Sequence, residues 1–254
     1  MKNRSLSKWK LGLSLALGAL GLMPGANASA DTIDVQATIT GVQFATSSYT
    51  TVGIKFNGSD LGQVIAGPEM WHQTGGSTLL GDYLTYCVEI NQDVYLGSSY
   101  GFTTGTVESA PTPGNPIPGA SGMGSAKATL LDELWARHYG DVSNAVSGAA
   151  FQVAVWDIVY DADFNLGIGN LQAYGNTAVT DLATTWLTDV NTNSTAFTHQ
   201  NLLALKSDNF QDQVTLLPPL QSPPPETPLP PAAAGAAVLF LGMGARRVRR
   251  PAQP

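Results

Sequence analysis

The one cysteine of this 254-residue chain, Cys87, and the glutamine Gln152 are the residues best suited to covalent chemistry. A thiolate is a strong nucleophile. Held against a glutamine side-chain amide, it can displace ammonia and leave an internal thioester, which an amine of another molecule could then open. Glu89, two residues after Cys87, could accept a proton during thioester formation, or it could be a solvated strand residue. The plain alternative is a buried cysteine and a hydrogen-bonded core glutamine.

A buried helix is predicted to carry Gln152. The segment Ala149–Asp161 is apolar almost all the way round, which is typical of a helix enclosed by other elements. An inward-facing glutamine amide without partners costs about 1–3 kcal/mol, and Cys87 is its predicted neighbour. Asp157 and Asp161 lie on the other side of this helix and are predicted to share a solvated edge.

The remaining pattern predicts an α+β domain over residues 31–217. Alternating or β-rich stretches predict strands at Thr32–Gln43, Thr50–Phe56, Gly62–Ala66 and Tyr83–Ile90, with one or two more within Val94–Gly105. They form an N-terminal antiparallel β-sandwich or barrel part, about 31–109. A Pro- and Gly-rich connection leads to a small inserted helical part, about 125–200, with helices from Ser125 to Gly140, around Gln152 and over Val179–Val190. Phe210–Leu217 is predicted to be a closing strand.

Both ends of the chain are typical of targeting segments. Residues 1–30 have the basic start, apolar run and small-residue cleavage site of a signal peptide, although an N-terminal anchor has similar features. Residues 218–231 are proline-rich and predict a stiff spacer. Residues 229–245 are apolar enough for a single membrane-spanning helix, and a basic tail that favours the cytoplasm follows it: Arg246, Arg247, Arg249 and Arg250.

The exported body is strongly acidic, because only Lys55, Lys127, Arg137 and Lys206 lie between the basic ends and face 19 acidic residues in the chain. Binding of nucleic acid through charge is therefore excluded. Asp157, Asp161 and Asp163 could suggest calcium, but the complete EF-hand pattern is absent, so a solvated acidic edge is expected, with no metal and no cofactor.

Two motifs resemble a known family. Tyr86-Cys87-Val88 on a strand, and Phe151-Gln152-Val153-Ala154-Val155-Trp156-Asp157 on a helix, are similar to the thioester domains of bacterial surface adhesins. The preceding helix and the closing Gln211-Asp212-Gln213-Val214 segment also resemble them. The resemblance implies a crosslink between Cys87 and Gln152.

The C-terminal segment 225–250 is similar to PEP-CTERM sorting signals, with Pro225, Glu226 and Pro228 at the motif, then the span and the basic tail. An inserted threonine breaks the usual Pro-Glu-Pro order, and an ordinary tail anchor is the alternative. The resemblance implies an exosortase-like sorting enzyme as a partner and a Gram-negative host that makes exopolysaccharide.

The sequence thus predicts an exported protein that passes through the inner membrane and reaches the cell surface or the biofilm matrix. It would attach covalently to an amine-bearing surface or matrix molecule through the Cys87–Gln152 thioester. Because the bond acts once per molecule, the protein is not expected to be an enzyme. The alternative is a non-covalent structural or binding protein of the exopolysaccharide matrix. A hydrolase has no support in the sequence beyond the export signal.

Overall fold

A computed structural model describes residues 33–44, 49–78, 80–112, 122–161, 163–193 and 195–217. Its strands are β1 (Val35–Val42), β2 (Thr51–Phe56), β3 (Ser59–Ile65), β4 (Glu69–Gly76), β5 (Asp82–Cys87), β6 (Ser99–Gly105), β7 (Leu171–Tyr174), β8 (Leu202–Lys206) and β9 (Gln213–Leu216). Its helices are α1 (Gly124–His138), α2 (Ala145–Tyr160) and α3 (Thr177–Thr192), with short 3₁₀ turns at Val107–Ser109 and Tyr139–Asp141.

Six strands close into an antiparallel barrel in the order β1-β4-β5-β9-β8-β6. Every second side chain of β1 points into the barrel. Val35, Ala37 and Ile39 are therefore buried, while the residues between them are partly exposed. Trp71 and Phe102 complete this core, with their rings 5.4 Å apart and close to perpendicular.

A second sheet has the order β3-β2-β7, and all of its pairs are antiparallel. The middle strand β2 buries Val52 and Ile54, whereas most residues of β3 are exposed. Strand β7 lies between α2 and α3 in the chain, so its pairing with β2 ties the helical part to the N-terminal β part.

Helix α2 is the most enclosed element, buried from Ser147 to Tyr160. Its start is fixed by a capping box, in which the Asn144 side chain accepts from the backbone amide of Ser147 and the Ser147 hydroxyl accepts from that of Asn144. Gly148 lets the first turn lie close to Pro68, because a Cβ there would be 2.8 Å from the proline ring. Pro68 immediately precedes β4, so this contact connects α2 to the barrel.

The antiparallel β part, the three helices and the enclosed helix around Gln152 confirm the predicted fold class in its main outline. Three strands were not predicted: β4, β7 and β8. Strand β4 follows Pro68 and ends at Gly75-Gly76, which are turn signals, and β7 has only four residues. Burial also differs from expectation at Asp157 and Glu89, which are both fully buried rather than solvated.

The targeting segments lie outside the described residues. These include the signal peptide 1–30, the whole spacer 218–231, the span 229–245, the motif residues Pro225, Glu226 and Pro228, and the basic residues Arg246, Arg247, Arg249 and Arg250. Within the described ranges, no helix is both long and apolar enough to cross a membrane.

Candidate functional site

Cys87 is the last residue of β5, and the structure buries it at 2% exposure. Strand β5 lies between β4 and β9 in the barrel, with Cys87 opposite Gln213. The chain stays beside β9 after the strand ends, because the Val88 amide donates to the Asp212 carbonyl at 2.9 Å. The thiol is therefore held by backbone pairing on a strand interior to the sheet.

Gln152 lies directly against Cys87, as the sequence predicted. Its side-chain oxygen accepts from the Cys87 backbone amide at 3.1 Å, and its side-chain nitrogen donates to the Cys87 carbonyl at 2.7 Å. The amide is thereby satisfied in a site where leaving it unpaired would be costly. These two bonds also fix α2 against the end of β5.

A second glutamine, Gln211, reaches the same place from the segment before β9. Its side-chain nitrogen donates to the Glu89 carbonyl at 3.2 Å, and the Cys87 thiol donates to that same oxygen at 2.5 Å. Sulfur and carboxamide are therefore neighbours around one acceptor. From the sequence, Gln211 was expected only as part of a closing strand. Its proximity to Cys87 follows from the pairing of β9 with β5, for which the sequence carries no signal.

Glu89 contacts the Cys87 thiol through its backbone, whereas the sequence suggested a role for its side chain. Its carbonyl accepts from both Cys87 and Gln211, and its amide donates to the Cys87 sulfur at 3.3 Å. One oxygen of its carboxylate accepts from the backbone amide of Asp212 at 3.3 Å. Its predicted part in proton transfer stays a prediction.

The surroundings keep the Cys87 thiol protonated. Burial raises its pKa well above the ordinary value, and the nearby Glu69 carboxylate raises it further, while the hydrogen bond at the Glu89 backbone and the Trp156 indole lower it. A nucleophilic thiolate at this site therefore needs a group that removes its proton in the same step.

Glu69, the first residue of β4, is half-buried and is the acidic residue best suited to take this proton. Removal from water raises its pKa to about 8, although the neighbouring Trp71 side chain lowers it somewhat. Its Oε2 atom is inaccessible to solvent and has no hydrogen-bond partner among the described residues. A carboxyl group with a pKa near neutrality can both hold and release a proton at physiological pH.

A cavity of about 320 Å³ opens onto these groups. Its polar lining includes Glu69, Cys87, Gln152 and Gln211, and its apolar lining includes Val64, Val94 and Trp156. This volume suits a small or extended group such as a lysine side chain rather than a folded partner.

The side of β5 that faces the helices is closed by aromatic rings. Tyr86 packs on Phe151 with ring centroids 4.7 Å apart and on Trp135 at 5.6 Å. Beyond Cys87, the Tyr160 hydroxyl accepts from the Ile90 amide at 3.0 Å and fixes the chain there. These contacts shield the thiol from water on the helix side, which favours the lifetime of a hydrolysable bond.

Comparisons with known proteins give one structural likeness. The chain is similar to the N-terminal thioester domain of a surface protein from Clostridium perfringens, at 10% sequence identity and a TM-score of 0.35. The likeness covers 65% of this chain and 98% of that domain. No family model matches the chain, and no curated protein sequence matches it.

Proposed function

We propose that this protein is an exported surface or matrix protein that captures amines covalently through an internal thioester at Cys87. The observation that supports the proposal best is the grouping of one thiol and two glutamine carboxamides in the lining of a single cavity. The sequence resemblance to thioester domains of surface adhesins supports the same chemistry independently.

The proposed reaction balances without a cofactor. The Cys87 sulfur attacks the carboxamide carbon of a glutamine, the carbon–nitrogen bond breaks, and the nitrogen leaves as ammonia with the proton that the thiol gave up. An incoming amine then attacks the thioester carbonyl carbon. It forms an amide and returns the sulfur as a thiol, so each molecule acts once and is not an enzyme.

Two glutamines can supply the carboxamide. Gln152 is the partner predicted from the sequence, but both polar atoms of its side chain bond to the Cys87 backbone and would have to be released during reaction. Gln211 shares an acceptor with the thiol itself. These contacts favour Gln211 as the acyl group and Gln152 as the residue that positions the end of β5.

Glu69 is the proposed proton acceptor at the cavity. Its carboxyl group interacts electrostatically with the thiol, and its pKa of about 8 lies near the pH at which it would act. Glu89 is the weaker candidate for this step, because one oxygen of its carboxylate is engaged with the Asp212 amide.

The proposal extends to location and partners. The predicted signal peptide and PEP-CTERM-like tail support passage through the inner membrane, processing by an exosortase-like enzyme and display at the cell surface or in the matrix. The amine would belong to a surface or matrix molecule, such as a protein lysine. The acidic body favours basic partners over nucleic acid.

Intact mass spectrometry of the exported protein tests this function. We expect a mass lower than the sequence mass by one ammonia, and the addition of one methylamine after incubation with that amine. Cys87→Ala should abolish both changes, whereas Gln172→Ala, at a glutamine that does not line the cavity, should leave them intact. The full sequence mass for the unmodified protein would falsify the thioester and leave the non-covalent matrix role.

A further inference from the structure

Three aspartates meet at the C-terminal end of α2. Asp157 lies in its last turn, Asp161 follows the helix and Asp163 lies in the loop beyond. Each offers a carboxylate oxygen, and these oxygens all lie within 4.8 Å of one another. The burial of the three residues falls from fully buried Asp157 to exposed Asp163, so the group is open to solvent on one side.

Asp157 is the observation that points to a ligand. It is 0% exposed, and neither of its carboxylate oxygens makes a hydrogen bond of normal geometry with a described residue, its one backbone interaction being a weak contact with Phe164. Buried carboxylates are otherwise paired or bound to metals, because an unsatisfied one is costly. Its side chain is directed at the other two carboxylates, where repulsion adds to the cost of burial.

The nearest cation does not neutralise the group. The Lys127 ammonium lies close enough to influence Asp157 and Asp161, but its hydrogen bond goes to the Val159 carbonyl at 2.7 Å. No ion pair joins Lys127 to an aspartate anywhere in the described chain.

We propose that Asp157, Asp161 and Asp163 bind a calcium ion. Carboxylate oxygens alone, with no histidine or cysteine in the group, fit a hard cation rather than zinc. Calcium also accepts irregular geometry and completes its coordination with water, which the exposed side near Asp163 admits.

Backbone contacts hold one of the ligands in place. The Asp161 carboxylate accepts from the amides of Asn170 and Leu171 at 2.8 and 2.6 Å. Gly169 has a φ of +91°, and a Cβ there would lie 2.7 Å from Asp161 and 2.9 Å from Asp163. A glycine at this position therefore leaves the carboxylates room to converge. The cation would join the end of α2 to the loop that leads into β7.

Calorimetric titration of the full-length chain with calcium chloride, after treatment with EDTA, tests the site. We expect one calcium per chain, tighter binding than for magnesium, and a rise in the melting temperature. Asp163→Asn changes an exposed ligand and should fold normally, yet weaken calcium binding by about tenfold or more. Asp181→Asn, on the exposed face of α3, is the matched control and should bind calcium as the parent protein does.

Three results would overturn the proposal. They are the absence of calcium binding to the parent chain at millimolar concentration, equal affinity in Asp163→Asn, and a response to magnesium equal to the response to calcium. The measurement does not depend on the thioester, since the Cys87→Ala chain should give the same calcium affinity.

Discussion

The Cys87 thiol and the Gln211 side-chain amide donate hydrogen bonds to the same atom, the carbonyl oxygen of Glu89. Gln152, by contrast, bonds to the Cys87 backbone with both of its polar atoms. The two glutamines therefore differ in their hydrogen-bond partners. Gln211 shares an acceptor with the sulfur, and Gln152 bonds to the main chain that carries the sulfur.

Alanine variants at the two glutamines should separate these roles. We expect Gln211→Ala to show its full sequence mass and to take up no methylamine, because the acyl group is gone. Gln152→Ala should keep the loss of ammonia but be less stable by about 1–3 kcal/mol, because two buried backbone groups lose their partners. Intact mass and denaturant unfolding measure the two effects. A crosslinked peptide containing Cys87 and Gln152 would reverse the assignment.

Amine capture should depend on pH through Glu69. Below a pH of about 8 its carboxyl group is protonated and cannot take a proton from the attacking amine, so the rate should rise as the pH passes that value. Methoxyamine is the suitable probe because it stays uncharged across this range. Glu69→Gln should flatten the profile of the rate of mass gain, whereas Glu108→Gln, outside the cavity, should not. Parallel profiles for Glu69→Gln and the parent protein would exclude Glu69 from the step.

Stability should also fall as the pH rises. Glu69 has a folded-state pKa of about 8 against an ordinary value of 4.5, so the folded chain binds more protons than the unfolded chain between these values. Its contribution is therefore most favourable below the unfolded pKa and is lost as the pH rises through the folded pKa. We expect the melting temperature in EDTA to decline from pH 5 to pH 8, and to decline less in Glu69→Gln. A decline of equal size in the variant would contradict this reading.

The pattern of neighbouring residues was sufficient to predict the strand that carries the thiol and the helix that carries Gln152. The alternation around Tyr86 and the apolar run through Phe151 are properties of neighbouring residues, so the strand and the enclosed helix could be predicted. The antiparallel β part and the three helices followed from the same signals. The short β7 could not be recognised, because its four residues form a strand only by pairing with β2, far away in the chain.

Contacts between distant segments explain what was missed at the site. Gln211 reaches Cys87 because β9 pairs with β5, and Glu69 reaches it because β4 pairs with β5 on the other side. Neither neighbour can be read from spacing along the chain. Asp157 was expected on a solvated edge because the helix alone leaves that side open, but the loop through Asp163 and Phe164 covers it.

The cap of α2 should influence the lifetime of the thioester. Asn144→Ala removes the side chain that accepts from the Val146 and Ser147 amides and should reduce stability by about 0.5–2 kcal/mol. The first turn of α2 touches Pro68 beside Glu69, so fraying there should admit water to the cavity and speed loss of the thioester by hydrolysis.

Asn176→Ala is the matched control, because Asn176 caps α3, whose residues do not line the cavity. We expect it to reduce stability by a similar amount while the thioester decays at the parent rate, followed by intact mass over time at pH 7. If both variants lose the thioester equally fast, the cap of α2 contributes to global stability alone. Slower decay in Asn176→Ala than in Asn144→Ala would locate water entry at the Gly148–Pro68 contact, since that contact is disturbed only when α2 frays.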